Sequence, residues 1–109
     1  MGMAMFDLNI PITKTNSALL CLTKDEVAAN EETPCIRCGK CVSACPSHIV
    51  PVMMMKAALK RDCEEFEKLN GMECMECGSC TYVCPAKRPL TQAFKDMRKL
   101  VMANRRKKA

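Results

Sequence analysis

The sequence predicts a mainly helical domain built around two copies of one cysteine-rich block. The blocks, CIRCGKCVSACP at 35–46 and CMECGSCTYVCP at 74–85, lie 39 residues apart and agree at six of twelve positions. After each block, apolar residues recur every three or four positions, as on one face of a helix. They are Val52, Met55, Leu59, Cys63, Phe66 and Leu69 after the first block, and Leu90, Phe94, Met97, Leu100 and Val101 after the second.

The flanks of the blocks indicate helices rather than strands. The 28 residues between Cys45 and Cys74 contain one periodic stretch of about eighteen residues, with Asn70-Gly71 as its stop signal. Upstream, the capping-box pattern from Thr23 to Glu26 predicts a short helix over 24–30. A compact βαββαβ fold would need strands beside the cysteines, and it remains the alternative.

The first 23 residues show a different pattern. Phe6, Leu8, Ile10 and Ile12 alternate with polar residues or proline, and residues 18–22 form a short apolar run after the turn-like Lys14-Thr15-Asn16-Ser17. This pattern predicts a β-hairpin, which is marginal in water on its own. We therefore expect 1–23 to be the remnant of a preceding domain that is missing here, 24–90 to be the cysteine-rich domain, and 91–109 to be a basic helix and tail.

Ten cysteines in 109 residues approach the level of a disulfide scaffold. The first residues show no secretion signal, however, and a chain kept in a reducing compartment uses cysteine for metal or redox chemistry. The formal charge is +5, with seven basic residues after position 94. We interpret this tail as a solvated helix end, where cations suit the negative end of the helix dipole. Anionic metal clusters would also cancel most of the net charge, so we expect no nucleic-acid partner.

The spacing C-x2-C-x2-C-x3-C-P, present twice, is the pattern of two-cluster iron–sulfur proteins. Two-residue gaps let three thiolates converge on one 4Fe–4S cluster, whereas the fourth cysteine ligates the other cluster. One predicted cluster is thus ligated by Cys35, Cys38, Cys41 and Cys84, and the other by Cys74, Cys77, Cys80 and Cys45. Zinc is the alternative, but a zinc site usually takes one cysteine pair from each of two knuckles and needs no third cysteine per block.

Three other residues are interpreted as structural. Cys21 and Cys63 lie in apolar patterns and are interpreted as core residues, since free cysteine behaves as a small hydrophobe. His48 is expected on the surface or just outside the ligand shell. No nucleotide-binding loop, nucleophile elbow or H-E-x-x-H pattern is present, so no catalytic residue is assigned and the chain is expected to be an electron-transfer module.

The chain closely resembles the C subunit of Rnf-type complexes, which are membrane-bound ferredoxin:NAD+ oxidoreductases that couple electron transfer to Na+ or H+ translocation. The resemblance rests on MGMAMFDLNIPITKTNSALLCLT, TPCIRCGKCVSACP and GMECMECGSCTYVCPAKRPL. It implies that all eight block cysteines are cluster ligands. It also implies an α-helical ferredoxin-like fold with two 4Fe–4S clusters.

The family's C subunit is several times longer, with a flavin- and NADH-binding portion ahead of this region. The resemblance therefore implies that FMN and NADH bind upstream, that the other subunits of a membrane-bound complex are partners, and that the chain lies peripherally on the cytoplasmic face of the membrane. Two other interpretations stay open. One is the iron–sulfur subunit of another oxidoreductase, of the heterodisulfide reductase or glycolate oxidase type, and the other is a free-standing dicluster ferredoxin.

Overall fold

The structure is a computed structural model that describes residues 7–14, 16, 18, 19, 21, 23, 24 and 30–108. The chain divides into two compact units, Met1–Glu31 and Glu32–Ala109.

The second unit is helical throughout its regular structure, which confirms the mainly α prediction. Its helices are α1 (Lys40–Ser43), α2 (Pro51–Lys60), α3 (Cys63–Lys68), α4 (Ser79–Tyr82) and α5 (Leu90–Lys108), with a 3-10 turn at Gly71–Glu73. Pro51 opens α2 at a position where its missing N–H costs no hydrogen bond. Helix α2 packs mainly on α5 and α3, and the short helices α1 and α4 pack on each other.

The core of this unit lies between the two long helices. Helix α5 contributes four apolar side chains with helical spacing, and α2 contributes two methionines and an alanine. The buried residues are Ile49, Met54, Met55, Ala57, Phe66, Cys80, Leu90, Phe94, Met97 and Val101. The rings of Phe66 and Phe94 are fully buried with centroids 6.3 Å apart, a tilted aromatic pair that joins α3 to α5.

The single long helix expected after the first block is wrong, because two helices occupy that stretch. Arg61 adopts left-handed backbone angles (φ 54°) and ends α2, with the N–H of Asp62 bonding to the carbonyl of Ala57. Asp62 then caps α3 by accepting a hydrogen bond from the N–H of Glu65 at 3.0 Å. The expected stop is confirmed, since Asn70 is also left-handed (φ 57°) and α3 ends before it.

A close backbone approach follows this stop. A Cβ added to Gly71 would lie 2.3 Å from the ring of Phe66, far inside contact distance. Glycine at this position therefore lets the chain turn tightly against the core toward the second block.

The described residues of the first unit contain turns and no strand. Asn9 N–H bonds to the carboxylate of Asp7 at 3.0 Å, and Asn16 N–H bonds to the carbonyl of Thr13 at 3.0 Å, within the predicted turn region. The β-hairpin is therefore not confirmed. The helix predicted over 24–30 lies mostly on 25–29, outside the described residues. Cys21 is exposed, so its assignment to the core is wrong; its stretch forms no regular element in the described residues and offers no packed face.

Candidate metal centres

The two blocks adopt the same backbone conformation. In the first, Arg37 and Gly39 have positive φ angles of 55° and 76°; in the second, the matching Glu76 and Gly78 have 56° and 83°. Glycine takes this conformation readily, whereas an arginine or a glutamate there is strained. Such strain is characteristic of functional loops, and here it occurs at the same position in both copies.

The strained positions turn backbone N–H groups toward sulfur. The N–H of Arg37 lies 3.4 Å from the sulfur of Cys35. The N–H of Glu76 makes the corresponding interaction with the thiolate of Cys74, where it favours the ionised form. Each loop thus supplies a backbone donor to its first cysteine, and thiolates are the form in which cysteine binds metal.

The short helices and the turns after them place the remaining thiols. Helices α1 and α4 begin directly after the left-handed glycines Gly39 and Gly78. They carry Cys41 and Cys80 as their second residues. After the fourth cysteine the chain turns through a left-handed residue, His48 or Lys87, each with φ 53°. In both turns the N–H of that residue bonds at 3.2 Å to the carbonyl of the cysteine three positions earlier.

One cavity, here called the first cavity, has a volume of about 400 Å³. Three of its cysteines come from the first block and the fourth from the end of the second. Its thiol-bearing residues are Cys35, Cys38, Cys41 and Cys84. Side chains of α2, including Met55 and Lys56, form another part of its wall.

The second cavity is the counterpart of the first, with the roles of the blocks exchanged. Its thiol-bearing residues are Cys45, Cys74, Cys77 and Cys80. Phe94 and Thr91 of α5 line the second cavity. The residues 39 positions earlier in the chain, Met55 and Val52 of α2, line the first cavity. The second cavity has a volume of about 20 Å³, much smaller than that of the first cavity.

Burial and neighbouring groups set the ionisation of three of these thiols. Burial is the main cause that raises the pKa of both Cys41 and Cys74 above the ordinary thiol value. Negative charge on Cys80 and Cys84 raises the pKa of Cys41 further. The pKa of Cys77 is lowered, chiefly by hydrogen bonding to Ser79, whose Oγ lies 3.4 Å from the sulfur.

The donor set fits iron–sulfur clusters better than single metal ions. Within the part of the chain that the structure describes, no three Cys, His, Asp or Glu side chains converge closely enough to hold one ion. A single zinc ion needs four ligands within about 2.3 Å of one point, whereas a cubane takes each thiolate on a different iron. Four thiols spread around a cavity therefore match a cluster, and both cavities have that arrangement.

Ion pairs with α5 lie over the second block. Glu76 pairs with Arg98, and its other carboxylate oxygen is 3.9 Å from the ammonium of Lys95. The positive charge of Arg98 also favours ionisation of Cys74. Sequence reasoning missed this network because the basic residues of α5 were treated as a solvated face; the acid at 76 and the bases at 95 and 98 meet only when α5 packs on the block.

The other residues considered from the sequence do not line either cavity. His48 is exposed, as expected. Cys63 is half-buried against the core, and its sulfur is 3.5 Å from the amide nitrogen of Asn104. Arg105 of the basic tail pairs with Glu67 at 2.6 Å, so part of the tail is held on α3. In the described part of the chain, no helix is both long enough and apolar enough to cross a membrane.

The sequence is similar to the C subunits of several oxidoreductase complexes. The chain is 42% identical over 107 residues to the C subunit of the Na(+)-translocating ferredoxin:NAD(+) oxidoreductase complex of Acetobacterium woodii, matching 98% of this chain and 24% of that protein. It is 43% identical over 94 residues to the C subunit of the ion-translocating oxidoreductase complex of Rhodobacter capsulatus, matching 86% of this chain and 18% of that protein. The chain therefore spans about a quarter or less of the length of these relatives.

A third relative is the C subunit of the proton-translocating ferredoxin:NAD(+) oxidoreductase complex of Clostridium ljungdahlii, 50% identical over 54 residues, which are 50% of this chain and 12% of that protein. The resemblance to the C subunit of such complexes is thus confirmed. Residues 27–85 match the family described as the 4Fe-4S dicluster domain, and this range contains both cysteine blocks and both cavities' thiols. Because the match covers more than half of the chain, the chain belongs to the 4Fe-4S dicluster domain family.

Proposed function

We propose that the chain binds two 4Fe–4S clusters and relays single electrons within a larger oxidoreductase complex. The first cluster is held by Cys35, Cys38, Cys41 and Cys84, and the second by Cys74, Cys77, Cys80 and Cys45. The observation that carries this proposal is the pair of cavities, each lined by three thiols of one block and the fourth thiol of the other.

The closeness of the two thiol groups supports a relay rather than two isolated structural sites. Cys41 belongs to the first group and Cys80 to the second, and the helices that carry them, α1 and α4, pack on each other. When bound, the clusters supply one-electron redox chemistry. The protein provides thiolates, backbone N–H donors at Arg37 and Glu76, and apolar side chains of α2 and α5 in the cavity walls.

The relatives suggest the complex in which this relay operates. Their names describe ferredoxin:NAD(+) oxidoreductases that translocate Na+ or protons. We place this chain in the corresponding role, as the cluster-bearing part of a C subunit on the cytoplasmic face of a membrane. FMN and NADH would bind on a preceding portion, with which residues 1–23 would pair, and electrons would pass on to other subunits.

Anaerobic reconstitution with iron and sulfide tests the cluster proposal. The expected result is about eight iron atoms per chain, with a broad visible absorption that bleaches on reduction. The Cys63→Ala variant is the matched control, since its thiol lies outside both cavities, and it should retain the full iron content. Stoichiometric zinc with no bound sulfide, or disulfides among the eight block cysteines, would contradict the proposal.

The relay is tested separately with the reconstituted chain. Both clusters should accept an electron from a low-potential reductant, and a spin–spin interaction should appear in the EPR spectrum of the fully reduced protein. Two clusters that bind normally but show no magnetic interaction would argue for separate structural sites.

A further inference from the structure

Arg88 lies at the edge of the first cavity, in the turn that follows the fourth cysteine of the second block. It is one of the residues lining that cavity. Its side chain is mostly buried, with 16% exposed. One terminal nitrogen, Nη2, pairs with the carboxylate of Glu32 at 3.2 Å, and the other, Nη1, donates to the carbonyl of Thr33 at 3.4 Å.

These contacts hold only the two terminal nitrogens of the guanidinium, Nη1 and Nη2. The segment that holds it is itself fixed to the same turn, because the N–H of Thr33 bonds to the carbonyl of Ala86 at 3.0 Å. The remaining nitrogen, Nε, is buried, and no acceptor in the described part of the chain lies within hydrogen-bond distance of it. A buried N–H without a partner is costly, so its persistence beside a cavity points to a ligand that supplies the acceptor.

The ligand that fits this position is anionic and rich in acceptors. The cavity is lined by four thiols, and a 4Fe–4S cluster with four thiolates presents sulfur atoms and net negative charge. Lys56, another basic group of the wall, is exposed and stands on the α2 side. Arg37, the third basic group of the wall, is also exposed, so Arg88 is the most buried of the cations that line the first cavity.

The second cavity differs at the equivalent position. Counting back 39 residues, Arg88 corresponds to Ile49, which is buried and lines the second cavity. Arg98, whose Nε is also buried with no acceptor among the described residues, does not line the second cavity, and its guanidinium is bound to Glu76. Among the residues that the structure describes, a cation built into the cavity wall is thus a property of the first site.

We propose that Arg88 is a positioning residue of the first cluster, with its Nε–H donating a hydrogen bond to a cluster or cysteinyl sulfur while Glu32 and Thr33 hold the guanidinium in place. This inference rests on the proposed function. Hydrogen bonds to sulfur and nearby positive charge both favour the reduced state. Arg88 therefore raises the reduction potential of the first cluster and not that of the second.

The test is a potentiometric titration followed by EPR on reconstituted protein. Arg88→Met removes the charge and the donor but keeps the stem. It should lower the equilibrium constant for reduction of the first cluster about tenfold, which is 59 mV for one electron. Lys56→Met is the matched control, removing an exposed cation from the same cavity wall, and its shift should be clearly smaller. The second cluster should keep its potential in both variants.

Two further variants separate the hydrogen bond from a general structural effect. Arg88→Lys keeps the charge and should recover part of the potential. Its first-cluster Fe–S stretching bands should shift down less in deuterated buffer than those of the parent, because only backbone donors such as the N–H of Arg37 remain. Glu32→Gln keeps the Nε–H donor but removes the ion pair that holds the guanidinium. It should lower the reduction potential of the first cluster by less than Arg88→Met does. If Arg88→Met does not fold, these two variants carry the test.

The outcomes distinguish this inference from the proposed function. Equal shifts in Arg88→Met and Lys56→Met, or equal shifts of both clusters, would overturn the role of Arg88 while leaving the clusters in place. Failure of the parent chain to bind about eight iron atoms would instead overturn the proposed function.

Discussion

The two cysteine blocks share a backbone but not their surroundings. At the third position of each block, the first has Arg37 and the second has Glu76, with φ angles of 55° and 56°. Above Glu76, α5 places Lys95 and Arg98; at the matching positions of α2 stand Lys56 and Leu59, which line the first cavity. The second block is therefore covered by ion pairs, whereas the first is open and basic. The loop conformation is set within each block, and the electrostatic environment is set by the helix that packs beside it.

The largest effect is expected from removing a cysteine that belongs to both halves of the comparison. Cys84 lies in the second block but lines the first cavity, and we consider the variant Cys84→Ser. We expect iron content to fall from about eight to about four, with loss of the first cluster's EPR signal. Cys45→Ser should do the reverse, and Cys63→Ser should change neither. If Cys84→Ser removes the signal of the cluster held by Cys74, Cys77 and Cys80, the exchange of fourth ligands is wrong.

The next effect concerns the apolar walls of the two cavities. Phe94 lines the second cavity and Met55 occupies the equivalent place in the first, and both are buried. Phe94→Ala should reduce the free energy of unfolding by about 3–5 kcal/mol and Met55→Ala by about 2–5 kcal/mol, because each leaves a hole in a packed core. An anaerobic urea titration measures both. Phe94→Ala should also release iron first from the second site; release first from the first site would contradict the comparison.

A smaller and equal pair of effects is expected at the two left-handed glycines. Gly39 and Gly78 have φ angles of 76° and 83°, and a Cβ at either would meet no atom within 4 Å. The cost of alanine at each is then the backbone strain alone, about 1–2 kcal/mol. The same urea titration should give matching losses for Gly39→Ala and Gly78→Ala. A difference greater than about 1 kcal/mol would show that the blocks are not equivalent in backbone energetics.

The smallest effects concern which of the two clusters has the higher reduction potential. We expect the first cluster to have the higher potential. Arg37→Gln should lower it by about 20–40 mV, as for a unit charge roughly 8 Å away at an effective dielectric constant of about 40–80. Glu76→Gln should raise the second potential by a similar amount, because it removes one negative charge and leaves the positive charges of Lys95 and Arg98 without this carboxylate to offset them. EPR-monitored titration decides it; reduction of the second cluster first, or no fall in Arg37→Gln, would contradict this order.

The spacing of the cysteines predicted the loops of this molecule better than the periodicity of apolar residues predicted its helices. Three cysteines in seven residues leave few conformations in which the thiols meet, so the block pattern indicated the loops directly. Apolar periodicity could not separate α2 from α3, because Cys63 and Phe66 face the same core across the break. Asp62, three residues before Glu65, was the available signal, since this pair has the capping-box spacing and caps α3 in the structure.

Contacts between distant segments could not be predicted in the same way. Arg88 is separated from Glu32 by more than fifty residues, and its place at the first cavity depends on how the turn after Cys84 returns to the start of the second unit. Cys21 shows the opposite failure. Its apolar neighbours suggested a packed position, but apolar character alone does not supply an element that packs, and the residue is exposed.

The exchange of cysteines between the cavities has a consequence for biosynthesis. When the first block leaves the ribosome, its cavity lacks the wall formed by Cys84, Ala86 and Leu90, which are translated about forty residues later. The first block then offers three thiols and an open face, and the second cavity has only Cys45 of its four. A nascent chain can therefore complete neither site until the second block has emerged. On the proposed ligand assignment, cluster insertion would therefore be a late event that acts on both halves together.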